Sequence, residues 1–414
     1  MVEPLKPPKR KNPLARTWQQ ALPPAARSRS AQLLTQAAAE GRFALQRCAE
    51  CQNYVYPPRE VCPNCLSVDL ALTDAPDGGV IVSETTTHVT SDSYFRERMP
   101  WRIGMVKLDC GPIAVAHLHG DCQDGDRVRT TLQLDKSGQA VFFAIPSEPT
   151  PNMDQDRQWY EMVAKPQFRR VLVTNGRSAI GQAVANALAE TGATVYVGIA
   201  EPWKPFPGEE RLRAAEHKIV PLDAPDERSV RELAADIGGK IDILVNTSEF
   251  IRPGGLLDRS RTTVIRDEME QLYLGFVNLA QAFGPAMLGR GADQLNSAAA
   301  WVNIFSVHAL ANWSAFGTHS AAEAACLSLS HCLRGELRGG GVRVVNLFTG
   351  PTDTEWFQTL PPPKVAPKAL ASAVITALNK GVEEMFVGDV ANEIRQNLVD
   401  NPKSVEREFT NRHT

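Results

Sequence analysis

Two pairs of closely spaced cysteines constrain the first part of this chain more than any other feature of its sequence. Cys48 and Cys51 are separated by two residues, ten residues follow, and Cys62 and Cys65 repeat the same spacing. Two such knuckles allow four thiolates to converge tetrahedrally on one Zn²⁺, and four sulfur ligands leave no position open for water. The spacing therefore predicts one structural, non-catalytic zinc ion per chain, bound by these four cysteines.

The composition of the chain argues against several broad functions. Of its 414 residues, 43% are hydrophobic and 22% are charged, which predicts a soluble protein of two or three domains with a sizeable core. The net charge of −3 argues against a strong polyanion as partner. No segment is apolar enough to cross a membrane, and the N-terminus lacks the apolar core of a signal peptide, so we expect a cytoplasmic location and no membrane partner.

Four regions are distinguishable before residue 169. Residues 1–30 form a basic arm with six prolines and seven Lys or Arg, which is either a solvated tail or a segment that lies across another subunit. Residues 31–75 are predicted to form a leading helix and a zinc ribbon. Residues 76–147 contain five short alternating segments separated by turn residues, which predicts a small β-barrel similar to an OB fold. Residues 148–168 are polar and contain prolines, as a linker does.

The hydrophobic pattern changes at residue 169. Strand-like runs such as "RRVLVT", "TVYVGI" and "IDILVN" then alternate with helical segments. This alternation predicts an α/β Rossmann-type domain over residues 169–400, a doubly wound parallel sheet with helices on both faces. Residues 401–414 are predicted to be a C-terminal tail. The predicted fold class is therefore multidomain, a zinc ribbon and small barrel followed by a Rossmann domain.

A zinc ribbon beside an OB-like barrel raises the possibility of nucleic-acid binding. Residues 41–146 carry ten Lys or Arg against thirteen Asp or Glu, whereas binding to a phosphate backbone needs a basic face. The sequence therefore predicts that nucleic acid is not a partner.

The first part of the chain resembles a known family. The run "RCAECQNYVYPPREVCPNC", preceded by a helix and followed by a barrel containing "PWRIGMVKLDCG", is similar to the zinc-ribbon/OB-fold proteins found beside thiolase-type enzymes. The resemblance covers roughly residues 31–147. It implies a non-catalytic partner that docks against a thiolase-fold catalytic subunit and helps to form a channel for acyl-CoA.

The second part resembles the short-chain dehydrogenase/reductase family. The markers are "VLVTNGRSAIGQAVANALAETGATVYV", "IDILVN", "WVNIFSVHAL" and "VNLFTGPTDT", which occur in the family's order. The resemblance implies a nicotinamide dinucleotide site, a catalytic set of serine, tyrosine, lysine and asparagine, and pairing of subunits through two long helices. Fold alone does not establish activity, which depends on the residues at each site.

The phosphate loop departs from the family pattern T-G-x-x-x-G-x-G. Thr174 matches, but Asn175 stands at the first glycine place, Gly176 is displaced by one position, and Ala179 stands at the middle glycine place. The Cβ of Ala179 would crowd a dinucleotide phosphate. Gly181 matches the third glycine, which mainly lets the helix pack on the strand.

The remaining dinucleotide positions are also altered. Asp223 matches the acid that often faces adenine, and Asn246 begins a broken "NNAG" motif, but no acid stands at the place that binds the ribose hydroxyls. Trp203 and Phe206 are expected to fill the adenosine cleft. Together with the loop, these departures predict that NAD(P) is not bound.

Three of the four catalytic positions are replaced. Ser306 occupies the serine place, whereas His319, Glu323 and Leu272 stand at the tyrosine, lysine and asparagine places. Hydride transfer needs a phenol whose pKa is lowered by an ammonium group, and a carboxylate has the opposite effect. His319 and Glu323 are interpreted as a surface pair; the alternative is an imidazole–carboxylate couple beside Ser306, similar to a serine hydrolase.

The sequence thus predicts an accessory subunit of a thiolase-type or retro-aldolase-type complex that cleaves a β-oxoacyl-CoA. In this hypothesis the zinc ribbon and barrel bind the catalytic subunit, and the dehydrogenase-like part forms a homodimer, or a heteromer with an active paralogue. The alternative is a divergent NAD(P)-dependent oxidoreductase acting on a hydroxyacyl- or oxoacyl-CoA, in which His319 replaces the tyrosine.

Overall fold

The computed structural model describes residues 2–6, 22–215, 217–290 and 297–411. The chain divides into two compact units, one built mainly from residues 19–164 and the other mainly from residues 165–379 and 383–414. Most of the basic arm predicted over residues 1–30 lies outside the described residues. Within the described stretches, every helix is too short or too polar to cross a membrane.

The first unit begins with a helix and a small sheet. Helix α1 (Leu33–Ala39) buries Leu34, Ala37 and Ala38, which the helical period places on one face. An antiparallel sheet follows, in the order β2-β1-β3, with strands β1 (Ala44–Cys48), β2 (Tyr54–Val55) and β3 (Leu70–Asp74). The cysteine knuckles lie in the turns at the ends of these strands.

A closed five-stranded barrel forms the rest of the sheet structure of this unit, as the sequence predicts. Its order is β4-β5-β6-β8-β7. The strands are β4 (Gly78–Thr87), β5 (Trp101–Leu108), β6 (Ile113–Leu118), β7 (Arg127–Leu134) and β8 (Ala140–Pro146). Buried and exposed residues alternate along β5 and β6, so one face of each strand fills the barrel interior. A short helix, α2 (Ser93–Arg96), lies between β4 and β5.

The segment predicted as a linker, residues 148–168, contains a packed helix, α3 (Arg157–Met162). Glu161 of α3 is 3% exposed and accepts a hydrogen bond from the Tyr94 hydroxyl at 2.9 Å. Its carboxylate also lies 3.0 Å from Nε of Arg98 and 2.8 Å from Nζ of Lys136. Because a buried carboxylate with two cations anchors α3, this segment is part of the first unit up to Ala164.

The second unit has the predicted doubly wound architecture. Seven parallel strands lie in the order β11-β10-β9-β12-β13-β14-β15. They are β9 (Arg170–Val173), β10 (Thr194–Ile199), β11 (Lys218–Pro221), β12 (Ile243–Asn246), β13 (Ala300–Ser306), β14 (Arg343–Thr349) and β15 (Glu384–Val387). The central strands are buried on both faces because helices cover both sides of the sheet.

The helices of this unit supply the sites described below. They are α4 (Ala179–Glu190), α5 (Glu209–Ala214), α6 (Glu227–Ile237), α7 (Thr263–Glu268), α8 (Gly275–Gly289), α9 (Gly317–Leu337), α10 (Pro367–Lys380), α11 (Asp389–Asp400) and α12 (Pro402–Asn411). Residues 401–414 were predicted as a tail, but α12 occupies most of them. Val405 of α12 is buried in the same hydrophobic core as Ile394 of α11, which explains why this segment is helical.

Candidate functional site

The four predicted zinc ligands come together in the first unit. Sγ of Cys48 lies 3.5 Å from Sγ of Cys65, and Sγ of Cys51 lies 3.6 Å from Sγ of Cys62. All four sulfur atoms lie within 4.8 Å of one another. Zn–S bonds of about 2.3 Å in a tetrahedron place neighbouring sulfurs about 3.8 Å apart. The arrangement fits a structural zinc centre.

Each knuckle supplies backbone donors to its first thiol. The backbone N–H of Cys51 lowers the pKa of Cys48 to about 7, and that of Cys65 lowers the pKa of Cys62, whereas the N–H of Ser67 does not outweigh the neighbouring thiols and burial, which raise the pKa of Cys65 to about 12. A lowered pKa favours the thiolate, which is the form that binds metal. Each knuckle ends with a residue in the left-handed region, Gln52 (φ 61°) or Leu66 (φ 62°). Their backbone N–H groups each donate to the carbonyl of a cysteine, 3.0 Å away.

In the second unit, the altered phosphate loop forms hydrogen bonds to the end of β12. Oγ1 of Thr174 donates to Oδ1 of Asn246 at 3.2 Å and accepts from the N–H of Thr247 at 3.0 Å. The N–H of Asn175, at the first glycine place, donates to Oγ1 of Thr247 at 3.0 Å. The N–H of Asn175 is therefore already bonded within the protein.

The two glycines of this loop have packing roles. A Cβ on Gly181 would lie 1.8 Å from the carbonyl oxygen of Asn175, and one on Gly176 would lie 2.3 Å from Cγ1 of Val197. Both contacts are with other parts of the protein, so glycine is needed here whether or not a ligand binds. Ala179 is exposed at the first residue of α4.

Arg177, which the sequence analysis did not identify, closes the edge of the dinucleotide cleft. Its guanidinium donates to the carbonyls of Lys204 at 3.0 Å and Ala200 at 3.3 Å, and it lies 5.0 Å from the ring centroid of Phe206. These carbonyls belong to the segment after β10, where the family binds the adenosine ribose. Trp203, expected to fill the adenosine cleft, is 75% exposed, so that expectation is wrong for Trp203.

The cleft that remains is a cavity of about 410 Å³. Arg177, Arg211, Glu249, Glu355 and Trp356 are among the residues that line it. Burial, with the nearby Glu355, raises the pKa of Glu249 to about 7. Asp223, the predicted adenine-facing acid, is partly buried at the end of β11, and burial with neighbouring acids raises its pKa.

The replaced catalytic positions lie in the protein interior. Nε2 of His319 and Oε1 of Glu323 are 4.0 Å apart on α9, and the two residues are 2% and 6% exposed. The interpretation of this couple as a surface pair is therefore wrong. The helical period placed the two residues on one face correctly, but it could not indicate that this face packs against β13.

Burial keeps both groups of this couple neutral near pH 7. Burial and the nearby His308 lower the pKa of His319 to about 4, and burial raises the pKa of Glu323 to about 8. Although the separation of 4.0 Å meets a distance criterion for an ion pair, two neutral groups do not form one. Within the described residues, neither ring nitrogen of His319 has a hydrogen-bond partner.

Ser306 is not hydrogen-bonded to His319 in a triad. Its Oγ accepts from the N–H of His308 at 3.2 Å, and its own N–H donates to Oε2 of Glu323 at 3.1 Å. Leu272, at the asparagine place, is buried in a π-helical turn, Met269–Leu274, and belongs to the hydrophobic core. The structure therefore brings Ser306, His319 and Glu323 into one region, whereas Leu272 only packs in the hydrophobic core.

Aromatic side chains, also missed from the sequence, pack beside this region. The ring centroids of Trp313 and Phe316 are 4.5 Å apart, and those of Phe316 and Phe357 are 5.7 Å apart. Ile251 completes this buried cluster. The N–H of Trp313 donates to Oγ of Ser320, the residue after His319, so the cluster lies on the same segment as the replaced tyrosine.

A groove of about 470 Å³ separates the outer faces of α8 and α9. Its lining is mostly apolar and includes Phe276, Leu329, Leu333 and Gly284. A Cβ added at Gly284 would have no atom within 4 Å, so no neighbour in the chain requires glycine there. A glycine inside a helix costs about 1 kcal/mol relative to alanine.

Three protein-family models match successive parts of the chain. Residues 35–71 match "ChsH2, rubredoxin-like zinc ribbon domain", and residues 72–133 match "ChsH2, C-terminal OB-fold domain". Residues 169–364 match the short chain dehydrogenase model. These matches confirm the two resemblances drawn from the sequence.

Individual relatives match the dehydrogenase-like part. The chain is 29% identical over 219 residues to an uncharacterized oxidoreductase of Staphylococcus aureus (strain USA300), covering 50% of this chain and 90% of the relative. It is 29% identical over 244 residues to the short-chain dehydrogenase ptmH of Penicillium ochrochloron, and the match covers 54% of this chain and 85% of that relative. A short chain dehydrogenase from Burkholderia cenocepacia J2315, solved in complex with NADP, matches with a TM-score of 0.53 and 29% identity over 59% of this chain and 98% of that one. The protein therefore joins a ChsH2-type zinc ribbon and OB-fold domain to a short-chain dehydrogenase domain.

Proposed function

We propose that this protein is a non-catalytic subunit of a thiolase-type or retro-aldolase-type complex that cleaves a β-oxoacyl-CoA in a degradative pathway. The observation that carries the proposal is the buried couple of His319 and Glu323, which stands where related dehydrogenases have a tyrosine and a lysine. Two neutral groups at these places lack the ammonium that stabilises a phenolate as hydride moves.

The dinucleotide cleft supports the same conclusion. The guanidinium of Arg177 bonds to carbonyls of the segment that would face the adenosine ribose, and the N–H of Asn175 bonds to Thr247. A dinucleotide would have to displace these hydrogen bonds, and the exposed Cβ of Ala179 would crowd its phosphates. We infer that NAD(P) is not bound.

The zinc ribbon and OB-fold domain supply the docking part in this proposal. A zinc centre with four thiolates has no open coordination position, so it stabilises the fold and does not act on substrate. We propose that this part binds a thiolase-fold catalytic subunit and borders the path of acyl-CoA. The reaction would take place in that partner, in the cytoplasm.

The dehydrogenase-like part is proposed to hold the assembly together through α8 and α9. The apolar groove between these helices and the open space at Gly284 favour a close-packed partner helix. Ala322 is already buried within the subunit, whereas Ala321 of α9 is exposed and available to a partner. The partner is a second copy of the chain, or an active paralogue with the same pair of helices.

A second candidate function is favoured by the relatives. The Burkholderia cenocepacia protein, 29% identical, was solved with NADP, and other relatives are named oxidoreductases. Under this alternative, His319 acts in place of the tyrosine on a hydroxyacyl- or oxoacyl-CoA. The buried position of His319 beside the aromatic cluster is unfavourable, because substrate would have to open that cluster.

Affinity purification of the full chain from its native host, with mass spectrometry of the bound proteins, tests the proposal. We expect a thiolase-type polypeptide in a fixed ratio to the chain, and turnover of a β-oxoacyl-CoA by the complex but not by the chain alone. Recovery of the chain without such a protein, together with NAD(P)-dependent turnover by the isolated chain, would refute it in favour of the oxidoreductase.

A further inference from the structure

The cavity in the second unit is lined by charged groups of both signs. Its lining comes from the N-terminal parts of α4 and α5 and from the loops that follow β12 and β14. The helices supply Arg177 and Arg211, and the loops supply the carboxyls of Glu249, Asp353 and Glu355. At about 410 Å³ the cavity is large enough for a small molecule, since ligand pockets of proteins measure about 300–1,000 Å³.

Arg211 is the arginine that is available to a ligand in this cavity. The guanidinium of Arg177 already donates to the carbonyls of Ala200 and Lys204. In the part of the chain that the structure describes, the exposed side chain of Arg211 forms no hydrogen bond or ion pair. Its planar guanidinium carries five N–H donors, which match the two oxygens of a carboxylate. The helix side of the cavity therefore suits an anionic group.

The carboxyls of Glu249 and Glu355 lie close enough to repel each other. Burial, with the nearby Glu355, raises the pKa of Glu249 to about 7. Hydrogen bonds from Thr354 and Trp356 lower this pKa, but they do not outweigh the burial. Among the described residues, neither Glu249 nor Glu355 is paired with a lysine or arginine side chain. A cationic group beside them would supply the counter-charge and favour both carboxylates.

The positive and negative groups of the lining do not neutralise one another. Among the described side chains, Arg211 forms no ion pair with any of the three carboxyls, although all of them line the same cavity. An amine alone would leave the guanidinium without a partner, and an acid alone would leave the carboxyls without one. A molecule that carries both an ammonium group and a carboxylate would satisfy the two parts of the lining together.

We propose that this cavity binds a small zwitterion of the amino-acid class, with its ammonium group against Glu249 and Glu355 and its carboxylate against Arg211. The proposal goes beyond the thiolase-type complex and does not depend on it. Charge-assisted hydrogen bonds at both ends hold such a ligand, and each is stronger than a bond between neutral groups. Because the cavity exists with the hydrogen bonds of Arg177 in place, a ligand that fits inside it does not have to displace them.

Helix α5 provides a matched pair of variants for the anionic end of the ligand. Arg211→Gln removes the guanidinium that lines the cavity. Arg213→Gln removes a guanidinium of the same helix that lies outside the lining and is paired with Glu209 at 2.7 Å. For the cationic end, Glu249→Gln removes the charge and keeps the size of the side chain. Its control is Glu190→Gln, at an exposed position of α4 outside the cavity.

The experiment is a calorimetric titration of the full-length chain with glycine, β-alanine, γ-aminobutyrate and 6-aminohexanoate. Each is compared with the amine and the carboxylic acid of the same chain length, and the melting temperature of each variant is recorded. We expect one length of zwitterion to bind with a Kd below about 1 mM and at least about tenfold more tightly than its amine or acid. Arg211→Gln and Glu249→Gln should each weaken that binding at least about tenfold, and the two controls should change it less than about twofold.

Three results would overturn the proposal. The first is the absence of saturable binding by every member of the series up to about 10 mM. The second is equal binding of a zwitterion and its amine, because Arg211 would then take no part. The third is equal binding of the zwitterion by wild type and by either Arg211→Gln or Glu249→Gln, because the ligand would then lie elsewhere. Co-purification of a thiolase-type protein is a separate measurement, so the proposed function can stand or fail independently.

Discussion

In the interior of the dehydrogenase-like unit, Nε2 of His319 lies 4.0 Å from Oε1 of Glu323, one helical turn along α9. The carboxyl accepts a hydrogen bond from the N–H of Ser306, and burial favours its protonated form. The couple is therefore a neutral polar contact inside the core. It replaces a pair that would carry positive charge in an active dehydrogenase of this family.

The first prediction concerns the pH dependence of stability. The pKa of Glu323 is raised to about 8 in the folded protein. The unfolded state therefore loses this proton at a lower pH than the folded state does, and the free energy of unfolding falls as the pH rises towards 8. We expect the free energy of unfolding of this unit to fall by about 2 kcal/mol between about pH 6.5 and about pH 8.5. Glu249, whose pKa is about 7, contributes in the same direction, and His319 contributes only at lower pH.

Urea unfolding followed by tryptophan fluorescence at the two pH values checks this prediction. Glu323→Gln should remove most of this fall in the free energy of unfolding, since an amide does not ionise. Glu336→Gln, an exposed position on the same helix, is the control and should leave the pH dependence as in the wild type. A wild type with equal stability at both pH values would show that Glu323 is not held protonated.

The second prediction concerns the zinc centre. Metal analysis should give about one zinc per chain, and Cys48→Ser should lose it, because three thiolates no longer close the tetrahedron. Hydrogen exchange should then show unfolding of residues 40–70, with protection unchanged in the dehydrogenase-like unit. Cys110→Ser, a partly buried cysteine outside the centre, should keep its zinc. Normal protection of residues 40–70 in metal-free Cys48→Ser would refute the assignment.

The third prediction concerns the ion pairs that anchor α3. Burial alone would raise the pKa of Glu161, but Lys136 and Arg98 outweigh it and lower the pKa to about 2. Glu161→Gln leaves two cations without their carboxylate and should destabilise the first unit by about 3 kcal/mol.

Thermal and urea unfolding of the first unit measure this effect. Glu97→Gln is the matched control, because Glu97 is exposed and its carboxylate lies 3.8 Å from Arg98; its effect should stay within about 0.5 kcal/mol. The depressed pKa also predicts that the stabilisation by Glu161, complete above about pH 5, decreases as the pH falls towards 2. Equal stabilities of the two variants would contradict the role of Glu161.

The fourth prediction concerns subunit pairing. Gly284→Leu fills part of the groove between α8 and α9, and the Cβ that it adds has no atom of a neighbouring element within 4 Å. Light scattering should give the mass of a dimer for the wild type and of a monomer for this variant. Gly289→Ala, at another open glycine of α8, should remain dimeric. A dimeric Gly284→Leu would place the interface elsewhere.

The fold was largely predictable because its signals are local. The spacing of Cys48, Cys51, Cys62 and Cys65 is set by the chain itself, and the change from two-residue to helical periodicity indicates the passage from barrel to Rossmann domain. The prediction of a linker over residues 148–168 was wrong. It relied on the polar composition of the segment, which does not indicate that Glu161 is buried, and the partners of Glu161, Arg98 and Lys136, are distant in sequence. A single sequence gives no sign of such long-range ion pairs.

The site was less predictable because it depends on where side chains point. The sequence motifs assign His319 and Glu323 to the tyrosine and lysine places, but the burial of these residues depends on which face of α9 meets the sheet. Arg177 was missed because its long side chain reaches carbonyls of residues 200–205, after the next strand. Trp203 was placed in the cleft because of its size, although the chain turns this residue towards solvent.

Calorimetric titration of the full chain with NADPH and with NADH tests the proposed loss of dinucleotide binding most directly. Because internal hydrogen bonds of Arg177 and Asn175 and the exposed Cβ of Ala179 oppose dinucleotide binding in our proposal, we predict no saturable binding of either dinucleotide up to about 1 mM. Binding of either one at micromolar concentration, with turnover of an oxoacyl-CoA by the isolated chain, would contradict the account.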